Sequence, residues 1–182
     1  MKKGFAVFIF TLGITTSVWA DITGTDSVQA TFNTTIVPGT CSAVIQNSAG
    51  AVVTTLDIGD VFKEELNDKS KITPFSIVLS NCSGVTRVNI TTSGGTCAVA
   101  GFTNSQDQGA SKNAAVEFWH NQPDTGTQFA CSTPATGQNV DISSMNLSVP
   151  MNARMIVAAS KQVSDVVAGN FIASLNFVLT YQ

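Results

Sequence analysis

The chain has 182 residues, 43% hydrophobic and 12% charged, with a formal net charge of −3, four cysteines and one histidine. That length fits one domain, the apolar fraction is too high for a disordered chain, and the acidic balance excludes nucleic acid, which needs a basic surface to neutralise phosphates. A single histidine excludes a multi-histidine metal centre, and 40 serines and threonines favour sheets over helices.

The N-terminus opens with Lys2 and Lys3, continues through an almost wholly apolar stretch over 4–12, and reaches Val18-Trp19-Ala20. A basic start, an apolar core and small residues at the minus-three and minus-one positions predict a secretory signal peptide over 1–20, cleaved after Ala20. A transmembrane anchor would need about 20 uninterrupted apolar residues, and Thr11, Thr15, Thr16 and Ser17 break this run. No later segment is apolar enough to span a bilayer, so an exported, soluble chain is expected. Its 162 residues carry 7 − 12 = −5 charges, because Lys2 and Lys3 leave with the signal.

Cys41, Cys82, Cys97 and Cys131 remain after cleavage. An even count in an exported chain implies disulfides. Three pairings are possible, and the sequential one, Cys41 with Cys82 and Cys97 with Cys131, is expected. Each bridge would close a loop of about 35–42 residues, worth about 4 kcal/mol in the chain-entropy account. Zinc is disfavoured because no CxxC spacing occurs.

Alternating runs then follow one another. Val28, Ala30, Phe32, Thr34 and Ile36 share one face before Cys41. Residues 61–69 form the one stretch that could be helical, with Glu64 and Glu65 on a solvated face. Phe75, Ile77 and Leu79 point one way and Ser76 and Ser80 the other. Val88 and Ile90 alternate with Asn89 and Thr91, and the glycine- and serine-rich stretch 92–112 reads as loop tied down by Cys97. Val116 and Phe118 alternate with Glu117 and Trp119, followed by His120 in a surface aromatic cluster. Val140 and Ile142, then Leu147, Val149 and Met151, continue the pattern. Phe171, Ala173, Leu175, Phe177, Leu179 and Tyr181 form the clearest run. Turn-formers at 47–50, 93–96, 121–126 and 133–137 separate these segments. Many short strands with such turns predict an all-β sandwich or barrel.

Chemistry is not signalled. Any nucleophile–histidine pair would have to use His120, and GxSxG, GxxxxGK and HExxH are absent from the sequence. A non-enzymatic protein without cofactor or catalytic metal is expected. The unusual features lie at the ends. A strongly alternating strand stands at 171–181 with nothing after Gln182 to cover it, and a second run, 28–36, lies outside the first disulfide loop. An exposed strand edge is a template for pairing with another chain. A free strand at one end and a missing strand at the other suggest head-to-tail strand donation, which generates a filament.

On these residues the chain resembles the pilins of chaperone–usher, type 1-like fimbriae. Phe32-x-Thr34-x-Ile36 followed by Cys41 matches the family's donor strand and first disulfide cysteine. Asp57-Ile58-Gly59 is similar to a common core strand end, and Pro74-Phe75-x-Ile77-x-Leu79-x-x-Cys82 to the strand bearing the second cysteine. Gly169, fourteenth from the end, and penultimate Tyr181 bracket the family's chaperone-recognition pattern. The resemblance covers essentially the whole chain. It departs at Thr34, where these pilins usually carry glycine, and in Cys97 and Cys131, which are additional to the usual bridge.

The resemblance implies an incomplete immunoglobulin-like β-sandwich lacking its last strand and completed by donor-strand complementation. Residues 21–40 would form the donor extension and 41–182 the pilin domain. A periplasmic chaperone would lend a strand to the groove beside Gly169, Phe171, Ala173, Leu175, Phe177, Leu179 and Tyr181 and hold the carboxylate of Gln182. An outer-membrane usher would then exchange that strand for the neighbouring pilin's extension. The expected role is a structural fimbrial subunit on the cell surface that supports adhesion. The alternative is a minor adaptor, or a lateral adhesin subunit that binds a host receptor with Trp119 as its stacking surface.

Overall fold

The computed structural model describes residues 31, 33–35, 37–98, 101–105, 109–131 and 137–182. Ile36–Gln182 forms one compact unit; Met1–Thr35 is a second, of which residues 31 and 33–35 are described, all exposed and outside any strand or helix. The expected signal peptide lies outside the described residues, as do Val28, Ala30, Phe32 and Ile36 of the expected donor strand.

Ten strands, one short α-helix and a 3-10 turn (Val163–Asp165) are described: β1 (Thr40–Asn47), α1 (Lys63–Asn67), β2 (Ile72–Ser83), β3 (Arg87–Ser93), β4 (Thr96–Ala98), β5 (Gly101–Thr103), β6 (Ala114–His120), β7 (Thr127–Phe129), β8 (Gln138–Asp141), β9 (Leu147–Val157) and β10 (Asn176–Tyr181). One sheet runs β1-β2-β9-β6-β5-β4, with β7 also pairing β6; the other runs β10-β3-β8. Every strand pairing is antiparallel. In an immunoglobulin constant-type sandwich one sheet has the order A-B-E-D and the other C-F-G. Here β1, β2, β9 and β6 take the places of A, B, E and D, while β3 and β10 take those of C and F. Among the described residues no strand pairs with the outer edge of β10, where G would lie.

The alternating runs bury their apolar face as expected. Phe75, Ile77 and Leu79 on β2, and Val88, Ile90 and Thr92 on β3, are buried, and their neighbours in sequence are not. Each buried large side chain contributes about 1.5–3 kcal/mol. Phe177 of β10 joins the sheets, with its ring 6.1 Å from Phe75, 5.8 Å from Phe118 and 5.9 Å from Phe129. Two prolines fit because each sits where its strand has lost a neighbour. Pro74 lies one residue beyond the last β1 partner, and Pro150 one beyond the last β6 partner.

Four expectations are corrected. The stretch 92–112 is not all loop: β3 extends to Ser93, and Gly94 and Gly95, both at positive φ, turn the chain into the β4–β5 hairpin. The Cys97–Cys131 bridge fastens that hairpin beside β7. Asp57-Ile58-Gly59 is not a strand end but an irregular turn, in which the Gly59 N–H donates to the Asp57 carboxylate at 2.8 Å. Glu117 and Trp119 do not face solvent, because β6 is buried on both faces. The Phe118-Trp119-His120 segment is therefore not a surface aromatic cluster; Phe118 and Trp119 are buried and His120 half-buried.

The second face of β6 is closed by a charged pair. Arg154 on β9 stands directly opposite Glu117 in register. Its Nη2 donates to Glu117 Oε2 at 2.7 Å and its Nε at 3.0 Å; the Trp119 indole N–H donates to the same oxygen at 3.2 Å. The guanidinium lies over the Trp119 ring, 5.4 Å from its centroid. Arg154 also donates to Asp124 at 2.8 Å, which pins the turn between β6 and β7 over this face.

Candidate functional site: the groove beside the last strand

The outer edges of β1 and β10 flank a groove of about 1160 Å³. Its floor is apolar, with Ala43 and Ile45 from β1, Leu56 and Ile58 from the following turn, Phe75, Ile77 and Phe118 from the core, and Phe171, Ala173, Leu175, Phe177 and Leu179 along the last segment, while Thr54, Asp57, Asp60, Lys63 and Asn170 add polar groups to the lining. From 171 to 181 each odd residue is half-buried and each even residue exposed. Half-burial of an inward apolar face, beside a strand edge that pairs with no strand among the described residues, is a surface suited to a partner strand.

One end of the groove is closed. The Tyr181 hydroxyl donates to the Cys41 carbonyl at 3.2 Å, joining the two flanking strands. Burial raises the Tyr181 pKa above its ordinary value, so the phenol keeps its proton at neutral pH. The Cys41–Cys82 disulfide ties β1 to β2 at the same end. Gln182 is fixed by its backbone: its carbonyl accepts from the Thr86 N–H at 2.8 Å, and its N–H donates to the Arg87 carbonyl at 2.8 Å.

The other end is held differently. Residues 171–175 precede the pairing of β10 with β3, so a side chain supplies the anchorage. Asn104 accepts from the Ile172 N–H at 3.2 Å and donates to the Ser111 carbonyl at 3.2 Å. The Ser105 N–H donates to the Ile172 carbonyl at 2.8 Å. Gly169 sits where the chain crosses residues 109–111. A Cβ there would lie 2.6 Å from the Gly109 carbonyl oxygen and 2.7 Å from the Ser111 nitrogen. Gly169→Ala should therefore cost about 1–3 kcal/mol, the range for forcing extra volume into a packed site. A thermal melt of the full chain checks this, and an unchanged Tm would mean that the crossing is not tight.

The expected groove residues Gly169, Phe171, Ala173, Leu175, Phe177, Leu179, Tyr181 and Gln182 thus lie along one segment, and all four cysteines pair sequentially. Of the expected donor residues only Thr34 is described, and it is exposed. Asn104 was not legible, because an asparagine in a glycine- and serine-rich stretch looks like any loop residue. Trp119 does not offer a stacking surface, being 9% exposed and covered by Arg154. His120 is half-buried, which lowers its pKa, and its Nδ1 lies 3.4 Å from the Asn121 amide.

Residues 30–182 match the family model described as fimbrial protein. The chain belongs to that family. This fimbrial protein is 38% identical over 172 residues to the uncharacterized fimbrial-like protein YadL of Escherichia coli (strain K12), covering 86% of this chain and 85% of the relative. Among solved structures it is similar to the P pilus rod subunit PapA, with a TM-score of 0.54 and 19% identity over 80% of this chain and all of that one. It is also similar to a chain from a chaperone–usher pilus solved to explain rod uncoiling, with a TM-score of 0.51 and 20% identity over 90% of this chain and all of that one. The fold is that of the chaperone–usher pilins, an immunoglobulin-like sandwich short of one strand. The chain is accordingly a fimbrial protein with the fold of these pilus subunits.

Proposed function

We propose that this subunit polymerises by strand donation: residues 21–40 of one chain fill the groove beside β10 of the next. The observation that carries the reading is the outer edge of β10, which pairs with no strand among the described residues, above a groove with an apolar floor. The alternating run Val28, Ala30, Phe32, Thr34, Ile36 has the pattern of a strand with one face to bury. Burying Val28, Phe32 and Ile36 would contribute about 1.5–3 kcal/mol each, and each backbone hydrogen bond along the edge about 0.5–1.5 kcal/mol net. The signal peptide over 1–20 would deliver the chain to the periplasm. There a chaperone strand covers the groove until an usher exchanges it for the neighbour's extension, and no covalent bond is made or broken. The product is a cell-surface fibre that supports adhesion.

Deleting residues 21–37 tests this. The shortened subunit should bind the chaperone at wild-type level and cap fibres, but never appear as an internal link. Its presence within fibres, seen by immunogold labelling along the shaft, would refute donation.

A further inference from the structure

The joint between subunits needs more than an inserted strand, and this inference rests on the strand-donation reading. Immunoglobulin-type sheets are antiparallel, so a strand in the place of G runs antiparallel to β10. Its C-terminal end then lies beside residue 171, at the open end of the recipient's groove. The donor run finishes at Ile36 and β1 begins at Thr40. Four Cα steps span at most about 14 Å, so the donor's own body must sit against that end of the recipient.

The tether is also stiff. Pro38 fixes its own φ and holds Val37 extended. Gly39 is packed on the loop after β2, where a Cβ would lie 2.1 Å from the Gly84 carbonyl oxygen. The pole of the donor that arrives is therefore defined. It is the Cys41–Cys82 end, where Val37 is 74% exposed and Met145 67% exposed. The Met145 carbonyl accepts from the Cys82 N–H at 3.1 Å, which places it there.

The receiving end has matching chemistry. Phe62, Val167 and Ile172 line the groove together with Phe171, yet they are 67%, 49% and 46% exposed. These three side chains belong to the groove's lining and stay partly open to water. We propose that Phe62, Val167 and Ile172 form a second contact at each joint, receiving Val37 and Met145 of the neighbouring copy. Domains held by small contacts move relative to one another by default; this apolar contact sets the stiffness of the fibre while the strand sets its strength.

A photoreactive benzophenone side chain at position 62 of the full-length chain tests the placement. In assembled fibres it should cross-link to a neighbour's peptide containing 37–40 or 143–146. Cross-links only elsewhere, or none, in fibres that form normally would overturn the proposal. The double variant Phe62→Ser/Ile172→Ser should still assemble, with a persistence length in electron micrographs reduced roughly two-fold or more. Unchanged persistence would overturn it. Loss of fibres with the variant still folded by circular dichroism would do so too, since a secondary contact cannot be required for insertion. Failure of strand donation itself reads differently, as chains lacking 21–37 inside the shaft.

Discussion

Replacing Arg154 with methionine is expected to destabilise the subunit by about 3–5 kcal/mol, the cost of leaving one partner of a buried ion pair alone. Arg154 is 3% exposed and Glu117 7%. Without the guanidinium, the Glu117 carboxylate keeps only the Trp119 indole N–H of the donors described above. The loss should appear as a lowered urea midpoint in the full chain with both disulfides intact. The pair Arg154→Met/Glu117→Leu should recover most of it, because exchanging a buried ion pair for apolar side chains is often neutral or better. A single-variant loss below about 1 kcal/mol would mean that the pair behaves as a surface bridge. Asp124 adds a pH dependence. Its carboxyl is held below its ordinary value, first by the hydrogen bond from Arg154, against some desolvation and aided by that residue's charge. A carboxyl shifted this way stabilises the fold above its ordinary pKa, and the contribution disappears as pH falls through the lowered value. In Arg154→Met that acid-side sensitivity should shrink to the smaller part that the Lys69 charge supplies.

The strands that were legible in the sequence each bury one face. Phe75, Ile77 and Leu79, or Phe171 to Tyr181, alternate because one side meets the core and the other meets water or a single neighbour. The inner wall of the groove was legible for the same reason: the period-2 run from Phe171 to Tyr181 marks one apolar face. What alternation could not reveal is a strand covered twice. Glu117 and Trp119 looked like the wet side of β6. The residue that dries them, Arg154, comes 37 positions later on a strand whose pairing is set by the fold. One sign was available, since Arg154 stands among Met151, Ala153, Met155 and Ile156, and a charge in such a run must find a partner. The β4–β5 hairpin was hidden because its three-residue strands are too short to show a period and are held by a disulfide and two glycines. Likewise Gly169 fitted a pattern, but the backbone crossing it permits depends on residues 109–111, some 60 positions away.

Changing Phe177 and Tyr181 together to serine should abolish accumulation of the subunit in the periplasm. Among the described residues, Phe177 is the one ring that touches aromatics of β2, β6 and β7 at once, at 5.8–6.1 Å, so its loss removes the aromatic contact that joins the two sheets. Phenylalanine truncations in cores cost about 3–5 kcal/mol. Tyr181 adds its half-buried ring and the bond to Cys41 that closes the groove, worth about 0.5–1.5 kcal/mol net. The sum approaches the whole stability of an ordinary domain, about 5–15 kcal/mol, and this sandwich already lacks a strand. Position matters more than composition here. Thr180→Ser, one residue away on the exposed face, should stay within about 0.5 kcal/mol of wild type and accumulate normally. Tyr181→Phe separates the two effects at Tyr181, because it keeps the ring and removes only the hydroxyl. It should accumulate at a modestly reduced level and still enter fibres. Undiminished periplasmic levels of the double serine variant, with normal fibres, would show that the inner face of β10 is not what the chaperone and the neighbouring subunit hold.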